Sequence, residues 1–383
     1  MQYKKIFWST IILIVCILSS IFCATIMVDP LGIVKAPTIK GFNNYKVEQG
    51  YYLDMWKPYQ FKDMSTKVVY IGTSRVLLGF RNHEVGYKDN EVYNLAFNSL
   101  SLAEMENYLK FAYKVHKIEK VYIGLDFFQF DKNSFYSLES NFPHDRLEKI
   151  INNKQEFIQL SDTFHLYNKV IKTVRESRKS PDKVSEYCNG WLIEKENAST
   201  NLNAYYGVLN QYITRYRRWQ YEPKTMECLQ RIVAEAKKNN VEVHVFFNPI
   251  NIDLQALIYA TGHRDDLFYV KSQVADIVGT LYDFNLANSY TENRKLYHEG
   301  SHYLSKFGDM MKADMHTKKD TERMLIITPE NKEVQLAKEI MYMQQWKEAN
   351  QEYYNTLQKK VKLIEQNKLK KIKKGDFKDY IGF

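Results

Sequence analysis

Two stretches far apart in the chain carry residue types that together make an activated nucleophile. The first is Val68-Val69-Tyr70-Ile71-Gly72-Thr73-Ser74-Arg75. Four apolar residues, β-branched or aromatic, run into Gly-Thr-Ser-Arg, the pattern of a buried parallel strand that stops at a turn. Ser74 then stands at the strand's C-terminal end, the edge where open α/β sheets bind ligands. A serine there is commonly a turn residue or an N-cap; it becomes a nucleophile only when a base can take its proton. The second stretch, Leu296-Tyr297-His298-Glu299-Gly300-Ser301-His302-Tyr303, supplies such a base. Glu299 and His302 lie three apart, so one short segment delivers both the base and the carboxylate that orients it. His298 is a rival base, directly beside Glu299. A serine, a base and an orienting carboxylate are the parts of nucleophilic catalysis.

The elements that must position these groups follow from the hydrophobic pattern. Val92-Tyr93-Asn94-Leu95-Ala96 reads as a second strand, Val121-Tyr122-Ile123-Gly124-Leu125 as a third and Val241–Phe247 as a fourth, with Leu281-Tyr282-Asp283-Phe284 a short last strand before the histidine segment. Between them, residues 102–117, Thr225–Asn240, 251–260, 265–279 and Ser305–Met315 read as helices. Glu104 and Glu106 lie early in the first of these and Lys114 and Lys117 late, which suits the helix dipole. Strand–helix alternation of this kind predicts a parallel α/β sheet. The backbone N–H of Ser74, with Asn98 or Ser99 nearby, is the candidate oxyanion site. Asp126 and Asn248 end strands on the same edge and are candidates for substrate contact. Arg75 either binds a carboxylate or phosphate or pairs within the fold.

The remaining segments frame this domain. Residues 6–28 carry no charge and are long enough to cross a bilayer as a helix. Lys4 and Lys5 precede them, which predicts an uncleaved single-pass anchor, a cytoplasmic N-terminus and an extracytoplasmic remainder. A cleaved signal peptide is the competing reading. Residues 29–66 read as a connector broken by Pro30, Pro37 and Pro58, and 67–330 as the catalytic domain. Residues 131–225 interrupt the rhythm as a helical insertion, with helical stretches near 145–160 and 163–178. Its aromatics Tyr205, Tyr206, Tyr212, Tyr216, Trp219 and Tyr221 either stack on sugar rings or pack in the interior. From 331 to 383 the chain reads as a basic helical tail, with Glu333–Lys374 of high helix propensity. It lies either on an anionic membrane or a partner, or free in solvent.

A net charge of +9 suits an anionic partner. With a membrane anchor that partner is an anionic lipid, teichoic acid or acidic polysaccharide rather than nucleic acid. Four cysteines are too few for a disulfide scaffold. Cys188 and Cys228 could pair, which the sequence leaves open. No Cys/His cluster suggests a metal, and no cofactor is called for.

Gly72-Thr73-Ser74 at the first strand, with an acidic residue three before a late histidine, resembles the SGNH hydrolase/acyltransferase superfamily. The likeness is to its membrane-anchored branch, which includes the alginate and cellulose O-acetylation proteins and the D-alanyl transfer protein of teichoic acids. Val28-Asp29-Pro30-Leu31-Gly32, Tyr93-Asn94-Leu95-Ala96, Gly124-Leu125-Asp126-Phe127-Phe128, and His302-Tyr303 followed by Gly308-Asp309 carry it in order. The chain departs from the family at Glu299, where Asp is usual, and in the block around Ala96–Ser99, where a glycine is usual. It departs again at Gly124-Leu125-Asp126, where Gly-x-Asn-Asp is usual. The resemblance implies an SGNH-like, flavodoxin-like three-layer sandwich with Ser74 as nucleophile, His302 as base and Glu299 as its partner. It implies O-acetyl transfer to a cell-surface or secreted polysaccharide, with a multi-pass membrane acyltransferase as the acyl donor. A polysaccharide acetyl esterase and a non-catalytic polymer-binding or assembly protein are the alternatives.

Overall fold

The computed structural model describes residues 2–134, 144–152, 155–184, 186–193 and 202–372. A 27-residue helix, Gln2–Val28, opens the chain. From Tyr3 to Val28 it is long and apolar enough to cross a membrane, with a mean hydropathy of 2.9 in its most apolar window. Most of its large apolar side chains from Ile6 to Leu18 are exposed, and Phe22 meets Phe164. The C-terminal end, in contrast, is fastened. Asn43 Nδ2 donates to Met27 O at 3.0 Å, and Lys46 Nζ donates to Val28 O at 2.7 Å and Asp29 O at 2.6 Å. A lysine there satisfies carbonyls that a helix end leaves open and complements its negative pole.

The chain divides into two compact units, Met1–Ser65 with Pro143–Gly190, and Thr66–Phe142 with Trp191–Phe383. In the first, the segment after the apolar helix holds a further helix, Leu53–Lys62, and packs with three helices at His144–Ile151, Gln155–Phe164 and Val170–Lys179. Tyr59 donates to Asp162 at 2.9 Å and Lys62 Nζ to Ile150 O at 2.5 Å. The proline-broken stretch 29–66 and part of the 131–225 segment are thus one packed body, and Pro58 lies inside a helix. All four cysteines are free thiols.

The second unit is built on a six-stranded sheet. Its strands are β1 (Val68–Ile71), β2 (Val92–Asn94), β3 (Lys120–Leu125), β4 (Glu242–Phe247) and β5 (Leu281–Asp283). A small hairpin, β6 (Tyr297–Glu299) and β7 (His302–Tyr303), stands outside that sheet, and β8 (Leu325–Ile327) returns to it. The order is β8-β5-β4-β3-β1-β2, parallel throughout except β8 on β5. The central strands are buried end to end, as a parallel sheet covered on both faces requires. Right-handed crossovers put the β1–β2 connection on one face and the β2–β3, β3–β4 and β4–β5 connections on the other. The packing agrees: Leu102–Val115, Lys224–Lys238 and Arg264–Val278 form one helical layer, and Ser74–Gly79 with Ser305–Thr317 the other. The last two helices cross almost backbone to backbone, since a Cβ on Gly308 would fall 1.9 Å from Gly79 O.

Two expectations change. The tail up to residue 372 is not one helix but two, Lys332–Ala349 and Gln351–Glu365, broken at Asn350, and its residues 373–383 lie outside the described residues. The helices' apolar residues Met343, Trp346, Leu357, Val361 and Ile364 are buried in the second unit, while Val334, Ile340 and Met341 of the first helix stay exposed. Glu339 reaches Lys271 Nζ at 2.6 Å in the interior, and Lys271 also holds Asp283 at 2.8 Å. The edge strand β8 is too short, and too close to polar residues, to have stood out by pattern. The aromatics Tyr205, Tyr206, Tyr212, Tyr216 and Trp219 are buried and pack in the interior.

Candidate active site

The sheet reverses direction at β1. Its connections leave toward β2 on one side, while β3 and all later parallel strands lie on the other. Such a switch point opens a crevice at the strands' carboxyl ends. Thr73 caps the short helix Ser74–Gly79 there, its Oγ1 accepting from Arg75 N at 3.4 Å. Ser74 is the first helical residue, half-buried, with no intrahelical partner for its N–H.

The base arrives on the β6–β7 hairpin. Glu299 and His302 pair across its bulged turn, with Gly300 and Ser301 between. His302 Nε2 lies 2.8 Å from Ser74 Oγ, and His302 Nδ1 is hydrogen-bonded to Glu299 Oε1. A carboxylate only accepts, so Nδ1 carries the proton and Nε2 presents its lone pair to the serine hydroxyl. Ser301 Oγ adds a second donor to Glu299 Oε1 at 2.7 Å. Burial pushes the Glu299 carboxyl up, but the bonds from His302 and Ser301 outweigh it and hold the pKa at about 2. Burial dominates at His298, pushing it down to about 4, so it stays neutral near pH 7. The three groups the sequence singled out therefore form one hydrogen-bonded chain, and His298 stands outside it.

Arg75 and Asp126 lie beneath this chain rather than on the open edge. Both are almost fully buried and paired with each other. Arg75 Nε donates to Ser301 O at 2.8 Å and Arg75 Nη2 to Tyr212 OH at 2.7 Å. Asp126 Oδ2 accepts from Thr73 Oγ1 at 2.5 Å. Burial lowers the Arg75 pKa, but Asp126 outweighs it, and the guanidinium stays charged. The residue after Ser74 thus grips the turn that carries His302. Asn248 is also buried, with Nδ2 donating to Leu125 O at 3.2 Å and Oδ1 accepting from Tyr303 OH at 2.9 Å. It fixes the residue next to His302 and faces no open space.

Asn98 and Ser99 are exposed, and Ser99 adopts a left-handed backbone with φ of 55°. Their loop is tied at both ends. Phe97 N donates to Gly72 O at 3.1 Å, and Gln129 Nε2 donates to Leu100 O at 2.6 Å. The tip is therefore held beside the β1 turn, with both side chains open to solvent.

Sequence reasoning passed over Ser301, Thr73, Tyr212 and Gln129. Ser301 and Thr73 carried a local signal, one standing between Glu299 and His302 and the other beside Ser74; Tyr212 and Gln129 reach the site through tertiary contacts. A cavity of about 400 Å³ lined by Arg81, His83, Glu84, Asp309, Lys312 and His316 includes none of the Ser74–His302–Glu299 chain. Among the described residues, no group of three His, Cys, Asp or Glu side chains is placed to hold a metal ion. No family model matches the chain, and no curated protein matches it.

Proposed function

We propose that the chain is a serine-dependent O-acyltransferase with an SGNH-like domain. It would act outside the cytoplasm on a cell-surface or secreted polysaccharide, with acetyl as the group transferred. The observation that carries the reading is the hydrogen-bonded chain Ser74–His302–Glu299 at the switch point of a parallel sheet. In the first step Ser74 Oγ attacks the donor's acyl carbonyl and His302 Nε2 takes the hydroxyl proton. The leaving group departs with that proton, and an acyl-serine remains. In the second step a sugar hydroxyl gives its proton to Nε2 and attacks the acyl-serine. The new ester leaves and Ser74 recovers its proton from His302. Glu299 stabilises the imidazolium in both steps. The Ser74 N–H, with the Asn98–Ser99 tip beside it, is the candidate donor set for the oxyanion.

The same triad hydrolyses esters when water is the acceptor. Transfer is preferred because the apolar N-terminal helix and the motif order resemble the membrane-anchored acetylation branch, where a multi-pass membrane acyltransferase supplies the acyl group. The test is fluorophosphonate labelling of the full-length protein in detergent, beside Ser74→Ala and His302→Ala. Labelling of the parent alone supports an activated Ser74. Acetyl transfer to oligosaccharide in preference to water supports the transferase, and release to water alone the esterase. A folded parent that does not label counts against an autonomous catalyst and favours a binding or assembly role.

A further inference from the structure

We infer that the helix Val170–Lys179 and the turn before it rest on the surface of the bilayer that Gln2–Val28 crosses, and that they select anionic lipid. The inference rests on the reading of Gln2–Val28 as a membrane-spanning helix, and on geometry within the first unit alone.

The junction between that helix and the unit is rigid. Asn43 and Lys46 hold its last carbonyls, and Asp29 Oδ1 accepts from Ile33 N at 2.9 Å. About 20 residues at 1.5 Å each cover a hydrocarbon core of about 30 Å. Counted from Lys5, the core ends near Thr25. Phe22 then lies at the boundary, whichever way the helix points. Its ring sits 5.7 Å from that of Phe164, which in turn sits 6.3 Å from Tyr167. The apolar helix packs along Gln155–Phe164 and Val170–Lys179 as well. This face of the unit is therefore brought to headgroup depth by the helix it holds.

Its composition fits that depth. Ile171 is 79% exposed, Tyr167 56% and Leu160 39%, large apolar groups that water alone would disfavour. A tyrosine with its ring in the acyl boundary and its hydroxyl outside suits the interface. A shallow cleft of about 460 Å³ runs along the helix, with Val170, Ile171 and Val174 as its apolar floor and Arg175, Arg178 and Lys179 as its basic rim. Lys169 and Lys172 stand next to it, paired with Glu48 at 3.6 Å and 2.5 Å. Among the described residues, the ion pairs of the five cations from 169 to 179 are with Glu48 and Glu176, so the patch keeps a positive balance. An apolar floor under a basic rim suits acyl chains below anionic headgroups.

The test uses the full-length chain with its four cysteines replaced by Ser, in nanodiscs containing brominated lipid. A bimane is placed at Ile171→Cys or, separately, at Leu13→Cys. Loss of emission at both positions in discs with phosphatidylglycerol, and recovery at 171 with Arg175→Glu/Arg178→Glu, supports the inference. Quenching at 13 without quenching at 171 overturns it while leaving the anchor intact. No quenching at 13 overturns the anchor and the inference together. Equal quenching at 171 in neutral and anionic discs overturns the selection of anionic lipid.

Discussion

Replacing Glu299 with Gln removes one charge from the site and keeps its shape. The carboxylate receives Nδ1–H of His302 and the Ser301 hydroxyl, and its side chain is only 17% exposed. Its pKa is held down from 4.5 to about 2 despite burial, a gap worth roughly 3 kcal/mol to the ionised form. Much of that comes from His302, which becomes an imidazolium when it takes the serine proton. At about 1.4 kcal/mol per tenfold, losing the greater part of it slows serine attack by about 10²-fold. A glutamine amide can also turn its N–H₂ toward Nδ1 and favour the wrong tautomer, which in triads of this kind raises the loss toward about 10⁴-fold. The assay is the pseudo-first-order rate of fluorophosphonate labelling of the full-length protein, measured from pH 5 to 9. Circular dichroism melts run alongside to show that the fold is intact. Ser301→Ala, which leaves Glu299 one of its two donors, should slow labelling much less. A folded Glu299→Gln protein that labels at the parent rate would refute the role of the carboxylate and the relay built on it. The same lowered pKa gives an acid limb to stability. The unfolded chain binds the proton more readily, so this contribution is present above about pH 4.5 and is lost as pH falls toward 2.

Asp126→Ala leaves Arg75 buried without its partner, which should cost about 3–5 kcal/mol and lower the melting temperature, with labelling of Ser74 slowed because Arg75 no longer grips Ser301. Gly308→Ala places a methyl group 1.9 Å from Gly79 O and must push apart the two helices behind Ser74; a loss of at least about 1–3 kcal/mol in a thermal melt is expected, with slower labelling. Burial raises the Glu339 carboxyl against the pull of Lys271, with Asp283 adding to the rise. The folded state therefore holds that proton better than the unfolded one, and the stability it gives is present below about pH 4.5 and lost as pH rises. Glu339→Gln should flatten this alkaline decline in melting temperature between pH 5 and 9, and an unchanged slope would show that Glu339 ionises freely.

The sequence alone determined the periodic and local features. The strands β1, β3 and β4 were legible because parallel strands covered on both faces carry near-continuous apolar runs, here Val68–Ile71, Val121–Leu125 and Val245–Phe247. The helices at 102–115, 224–238 and 264–278 showed their 3.6-residue period, and residues 6–28 their uncharged apolar length. Glu299 and His302 were readable as a pair because three residues of spacing bring them together on one turn. Only the tertiary structure decided what depends on distant neighbours. It set Ser74 2.8 Å from His302 across more than two hundred residues of chain, because β1 and the β6–β7 hairpin end at the same edge. It turned Arg75, Asp126 and Asn248 from candidate substrate contacts into buried supports, since no local pattern tells a paired charge from an open one. It also buried Met343, Trp346, Leu357, Val361 and Ile364 of the C-terminal helices and left Ile171 exposed. Amphipathicity specifies that a face will be buried, and packing specifies against what.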